Sequence, residues 1–119
     1  MQIEKLNFDQ IKGILESELF YENNFSPEDF MHDEYYSNID EIEEEGEFKE
    51  EYRKLGRIET VEHFGGEGCG DDYYNVCHFV DHDVYIQFQG WYASHVGSEY
   101  QDMFEVKPEQ VTKIEYNRV

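Results

Sequence analysis

The sequence predicts an α+β domain in which an acidic helical N-terminal half packs on a C-terminal antiparallel β-sheet of about four strands. Three observations lead there. The spacing of apolar residues changes near Arg57 from about 3.6 to about 2, the helical and strand periods. Helix-start signals fall in residues 1–56, whereas residues 57–119 alternate strand-like runs with turn residues. Ten Tyr and nine Phe among 119 residues supply a core, and a chain of this length is expected to be one domain spanning 1–119.

Residues 7–20 read as a helix, with Asn7 as N-cap, Gln10 at the third helical position, and Ile11, Ile14, Leu15 and Leu19 on one face. Gly13 weakens it by about 1 kcal/mol relative to Ala, so packing must hold it. The run FSPEDF is the strongest start signal. Ser26 caps, Pro27 takes the first helical position, Glu28 and Asp29 suit the positive helix end, and Phe25 staples onto Phe30. This short helix carries Phe30 and Met31 or Tyr35 inward and ends near YYSN, residues 35–38.

The acidic run IDEIEEEGEFKEEY, residues 39–52, reads as helix surface. Residues 39–45 supply a turn or two before Gly46, and residues 47–55 form a helix with Phe48, Tyr52 and Leu55 on one stripe. Ile42 and Phe48 anchor the run. Gly56 is expected just past the helix end, with Arg53 and Lys54 in the last turn. Strands are expected at RIETVEHF (57–64), YYNVCHFV (73–80) and VYIQFQGWY (84–92), then at MFEV (103–106) or VTKIEY (111–116). Asp81, His82 and Asp83 make a tight connection in an antiparallel meander, and Pro108 marks a break.

Charge narrows the function classes. Lys and Arg number 9 against 29 Asp and Glu, a net of −20. From Glu28 to Glu51 there are 12 acids and one base, Lys49. Free nucleic acid and anionic membranes repel such a chain, and cations or basic proteins are its natural partners. No run is apolar and long enough to span a bilayer, and no export signal is seen, so a cytoplasmic location with free thiols at Cys69 and Cys77 is expected.

Chemical motifs are weak. The glycine-rich HFGGEGCGDDYY (63–74) resembles a phosphate loop only in its glycines, because Glu67, Asp71 and Asp72 repel phosphate and a strand follows; it reads as a turn. His63, Cys69, Cys77, His78 and His82 lack zinc-knuckle spacing, and neighbours Cys77 and His78 point to opposite faces of a strand. Asp71 with Asp72 and Asp81 with Asp83 lack a calcium-loop pattern. Adjacent Ser94 and His95 cannot face each other on a strand. No catalytic residue, metal or cofactor is assigned, and a non-catalytic protein is expected.

Duplex DNA carries one negative charge per about 1.7 Å of axis, and a helix rises about 1.5 Å per residue, so a folded helix exposing carboxylates at half or more of its positions approaches that density and can stand in for a phosphate backbone. The candidate partner-binding residues are Asp33, Glu34, Asp40, Glu41, Glu43, Glu44, Glu45, Glu47, Glu50 and Glu51. Trp91 and Tyr92, in GWYASHVGSEY, are further candidates because Trp and Tyr dominate interface hot spots.

In size, charge and fold-competent composition the chain resembles the small acidic DNA-mimic inhibitors that phages and mobile elements direct against restriction and CRISPR nucleases. Separately, GGEGCGDDYYNVCHF followed by VYIQFQGWYASHVGSEY, within residues 57–117, is similar to a sheet region of short phage-encoded proteins. The first resemblance implies a non-catalytic inhibitor of a basic nucleic-acid-binding protein in the host cytoplasm. The alternatives are an accessory interaction module using the aromatic sheet face, possible as a homodimer, and a small metal-binding protein.

Overall fold

The computed structural model describes residues 5–65, 72–93 and 97–108. Cys69, Asp71, Ser94, His95 and the candidate strand 111–116 lie outside the described residues. Four short helices precede a four-stranded antiparallel sheet in the order β1-β2-β3-β4, so the fold is α+β with a C-terminal meander.

The first helical stretch is two helices rather than one: α1 (Phe8–Leu15) and α2 (Glu18–Glu22). Asn7 caps α1 with the reciprocal bonds expected, its side chain accepting from the Gln10 amide and the Gln10 side chain accepting from its own. The break falls at Ser17, whose extended backbone starts a new helix and whose hydroxyl accepts from the Phe20 amide. In an unbroken helix Phe20 would sit about 140° round the axis from Leu15, facing away from the core. The break turns it inward, onto Phe48 at 5.0 Å and Tyr52 at 5.8 Å between ring centroids.

Helix α3 (Pro27–Met31) starts where FSPEDF signals it. The Asp29 carboxylate accepts from the Ser26 amide at 2.8 Å, and Phe25 and Phe30 meet edge to face at 5.4 Å. Both Phe30 and Met31 are fully buried. The acidic run keeps the turn expected before Gly46 and the helix expected after it, but the turn is short: Ile39–Glu41 forms one 3-10 turn, Ile42 is extended, and residues 42–46 are irregular until α4 (Glu47–Arg53). A continuous helix would set Glu43 against Glu47 at the repulsive four-residue spacing, and only Ile42 among residues 39–46 is buried. Helix α4 also stops at Arg53, two residues early, and Tyr52 and Arg53 carbonyls take the amides of Leu55 and Gly56 in a tightened last turn. Gly56 has φ +69°, and a side chain there would strike the Asp81 carboxylate, which accepts from the Arg57 amide.

The strands are β1 (Ile58–Phe64), β2 (Asp72–Phe79), β3 (Val84–Ala93) and β4 (Gly97–Val106). Residues Ile58, Cys77, Phe79, Val84, Ile86, Phe88 and Met103 join Ile11, Leu15, Phe20, Phe30, Tyr52 and Leu55 in one core. Helix α3 packs across β2, β3 and β4, with Phe30 stacked on Phe88 at 5.0 Å. Gly90 is required where α3 crosses, because a Cβ there would meet the Met31 sulfur and the Glu99 carbonyl.

Two buried polar residues tie this core together. Asn75 donates to the Phe30 carbonyl at 2.7 Å. His82, expected on a loop, is 2% exposed: its Nδ1 accepts from the Leu6 amide at 2.9 Å, so its Nε2 carries the proton and donates to the Lys54 carbonyl at 2.7 Å. It joins the N-terminal segment, the end of α4 and the β2-β3 turn. Burial pushes the Cys77 thiol up to about 12.

Candidate functional site

The irregular acidic segment and the start of α4 enclose an open cleft of about 580 Å³. Glu41, Glu43, Glu44, Glu45 and Glu47 line its walls, and Leu19, Tyr36, Ile42 and Phe48 supply its apolar surface. Ile42 is buried while its flanking carboxylates stay exposed, because an extended backbone sends neighbours to opposite sides. Tyr36 is held through its carbonyl, which accepts from the Tyr52 hydroxyl at 2.6 Å, and through stacking on Phe25.

The structure sorts the candidate carboxylates by what they already bind. Glu45 meets Lys49 at 2.8 Å, Glu51 meets Lys54 at 2.7 Å and Glu50 meets Arg53 at 3.5 Å. The Lys49 hydrogen bond and charge hold the Glu45 carboxyl below its ordinary range. The Glu41 carboxylate accepts from the Ser37 amide. Asp33 serves the fold: Tyr35 donates to the Thr60 hydroxyl, which donates to the Asp33 carboxylate, each at 2.6 Å. Among the described residues, the side chains of Glu34, Asp40, Glu43, Glu44 and Glu47 make no ion pair or hydrogen bond.

These groups are not one array. Glu43, Glu44 and Glu47 share the cleft, while Asp33 and Glu34 lie by Tyr73, whose phenol is raised by burial first and by those two carboxylates after it. Burial likewise raises the Asp29 carboxyl despite the Ser26 amide bond that lowers it, with Glu34 and Glu28 adding to the rise. The charge array is therefore a cleft rim rather than the face of one helix.

Trp91 and Tyr92 part company as well. The alternation that buries Val84, Ile86, Phe88 and Gly90 turns Trp91 to the outer face of the sheet, and Tyr92 stacks on Tyr73 on the helix side. A sequence reading that treats the two as one aromatic patch overlooks this period-2 rule, which also marks Phe64 and Tyr74 as an outer pair, stacked at 5.5 Å.

Among the described residues no group of three His, Cys, Asp or Glu side chains is placed to share a metal ion, and no helix is long and apolar enough to cross a membrane. Comparison with known protein families, with curated proteins and with solved structures gives no match.

Proposed function

We propose that the protein is a non-catalytic inhibitor that binds a basic nucleic-acid-binding protein, such as a host defence nuclease or a CRISPR effector, through its acidic helical side. It acts in the cytoplasm of the cell that a phage carrying it infects. The observation that carries this reading is the cleft, in which Glu43, Glu44 and Glu47 stand free of intramolecular cations beside Ile42 and Phe48. An Arg or Lys side chain entering there meets carboxylates at its head and apolar surface along its stem. Long-range attraction to a net charge of −20 speeds the encounter, and the cleft's apolar contacts slow departure.

The correction to the acidic run changes the mimicry in kind. A rim of carboxylates replaces a ladder at helical spacing, so partner selection rests on the cleft's shape together with its charge. The test is DNA cleavage by a panel of restriction and CRISPR nucleases with and without the protein. The expected result is salt-sensitive inhibition of at least one nuclease, lost in the Glu43→Gln, Glu44→Gln, Glu47→Gln variant. Inhibition that survives this neutralisation, with the fold intact by circular dichroism, removes the mechanism.

A further inference from the structure

Among the described residues the four α-helices precede the sheet in sequence, and α3 covers its inner face. The strand register defines what stands on the other face. Four rows cross it: Glu59, His78, Tyr85 and Val106; then Glu62, Val76, Gln87 and Phe104; then Phe64, Tyr74, Gln89 and Asp102; and last Asp72, Trp91 and Glu99. Large apolar groups remain open to solvent there, with Val61 at the β1 bulge 51% exposed, Phe64 40% and Phe104 39%. Val61, Val76, Tyr85, Val106 and Pro108 supply the apolar border of a groove of about 650 Å³ in this face, and Glu62, Gln87 and Lys107 complete its lining.

Charge on the rows has one sign. Glu59, Glu62, Asp72, Glu99 and Asp102 stand among the aromatics, and no row contains a Lys or Arg. Two bases stand outside the rows, Arg57, which reaches Glu59 at 3.1 Å, and Lys107 at the groove's border, and His78 is engaged by Asp83 and stacked on Tyr85. The Tyr74 hydroxyl donates to Glu62, and burial, then Glu62 and Asp72, raise that phenol. Stacked aromatic rings with carboxylates at their edges complement a guanidinium, which lies flat on a ring and directs its hydrogen bonds sideways. Nucleic acid and anionic lipid share the sign of these rows and are repelled.

We infer that the outer face of the sheet is a docking surface for an arginine-bearing segment of a partner protein, with aliphatic side chains seated in the Val61 to Pro108 groove and an arginine over the Phe64–Tyr74 pair. The surface is separate from the acidic cleft and uses none of its carboxylates, so either can fail alone.

The experiment titrates the isotope-labelled full chain with a short synthetic peptide alternating arginine and valine, at physiological salt, and follows amide and aromatic NMR shifts. The expected shifts cluster at Phe64, Tyr74, Val76 and Trp91. Phe64→Ser with Phe104→Ser weakens binding about tenfold, and replacing the peptide's arginines by lysines weakens it several-fold at the same charge. Glu62→Gln with Asp102→Asn, which leaves the apolar surface whole, also weakens it, whereas the Glu43, Glu44 and Glu47 neutralisation does not. Shifts confined to residues 41–47, or equal affinity for the two peptides, overturn the inference. It is also overturned if the protein alone sediments as a dimer that buries Phe64, or if a chain ended at Pro108 binds the peptide more tightly, which would make residues 109–119 the occupant.

Discussion

Helix α3 and the acidic segment 39–46 lie close together in the sequence, yet one is built into the molecule and the other lies on it. Helix α3 buries Phe30 and Met31 completely and crosses three strands, and Phe30 touches Phe25, Tyr35, Phe79 and Phe88. Segment 39–46 places Ile42 in the core and leaves its carboxylates outside. Five residues suffice for a helix when caps and apolar contacts agree, because packing supplies what so short a helix lacks by itself. A run of carboxylates has no such contacts and takes the backbone path that separates its charges while Ile42 is buried and Ile39 packs at the core's edge.

Alkali should produce the largest effect, since it ionises phenols and a thiol that the packed region buries. Tyr35, Tyr52 and Tyr100 are raised above their ordinary 10.0, and Cys77 is pushed from 9.0 to about 12, in each case chiefly by burial. The unfolded chain releases these protons first. Their contribution to stability is therefore full below about pH 9 and is lost as pH rises toward 12, which urea midpoints across that range will record. A stability flat through this window would mean that the core is open to water.

Phe30→Ala comes next, with an expected loss of about 4 kcal/mol in urea unfolding. Ile42→Ala is the matching cut in the acidic segment and should cost about 2 kcal/mol, because an irregular loop can settle into the space left behind. Equal losses at the two positions would erase the contrast between built-in and laid-on. Asp29→Ala removes the acceptor of the Ser26 amide and should cost about 1 kcal/mol, with Asp29→Asn restoring most of it.

The smallest effect belongs to the cleft rim. Neutralising Glu43, Glu44 and Glu47 to Gln should change stability by no more than about 0.5 kcal/mol, in the stabilising direction, and added salt should raise the melting temperature of the parent chain more than that of the variant. A loss of several kcal/mol would instead make these carboxylates part of the fold, as Asp33 is.

Elements whose causes are local could be read from the sequence. The caps at Asn7 and Ser26, the Phe25–Phe30 staple, the positive φ at Gly56 and the strands with their 81–83 connection depend on residues a few positions apart. The break at Ser17 could not be read that way, because what Phe20 gains by turning depends on Phe48 and Tyr52, far along the chain. The same holds for the site. That the protein carries a concentrated negative charge was plain, whereas the division of its carboxylates into ion-paired, structural and free ones required the positions of Lys49, Lys54, Arg53 and Thr60.

The sequence by itself determined an α+β chain with a strongly acidic N-terminal half and a meander of alternating strands, since period, caps and charge are properties of neighbouring residues. Tertiary structure alone decided that His82 is a buried tie, that Trp91 and Tyr92 face opposite sides, and that the acidic run wraps a cleft instead of forming a rod. Each of those outcomes is a competition between distant groups for burial and hydrogen bonds, and local pattern carries no record of which side wins.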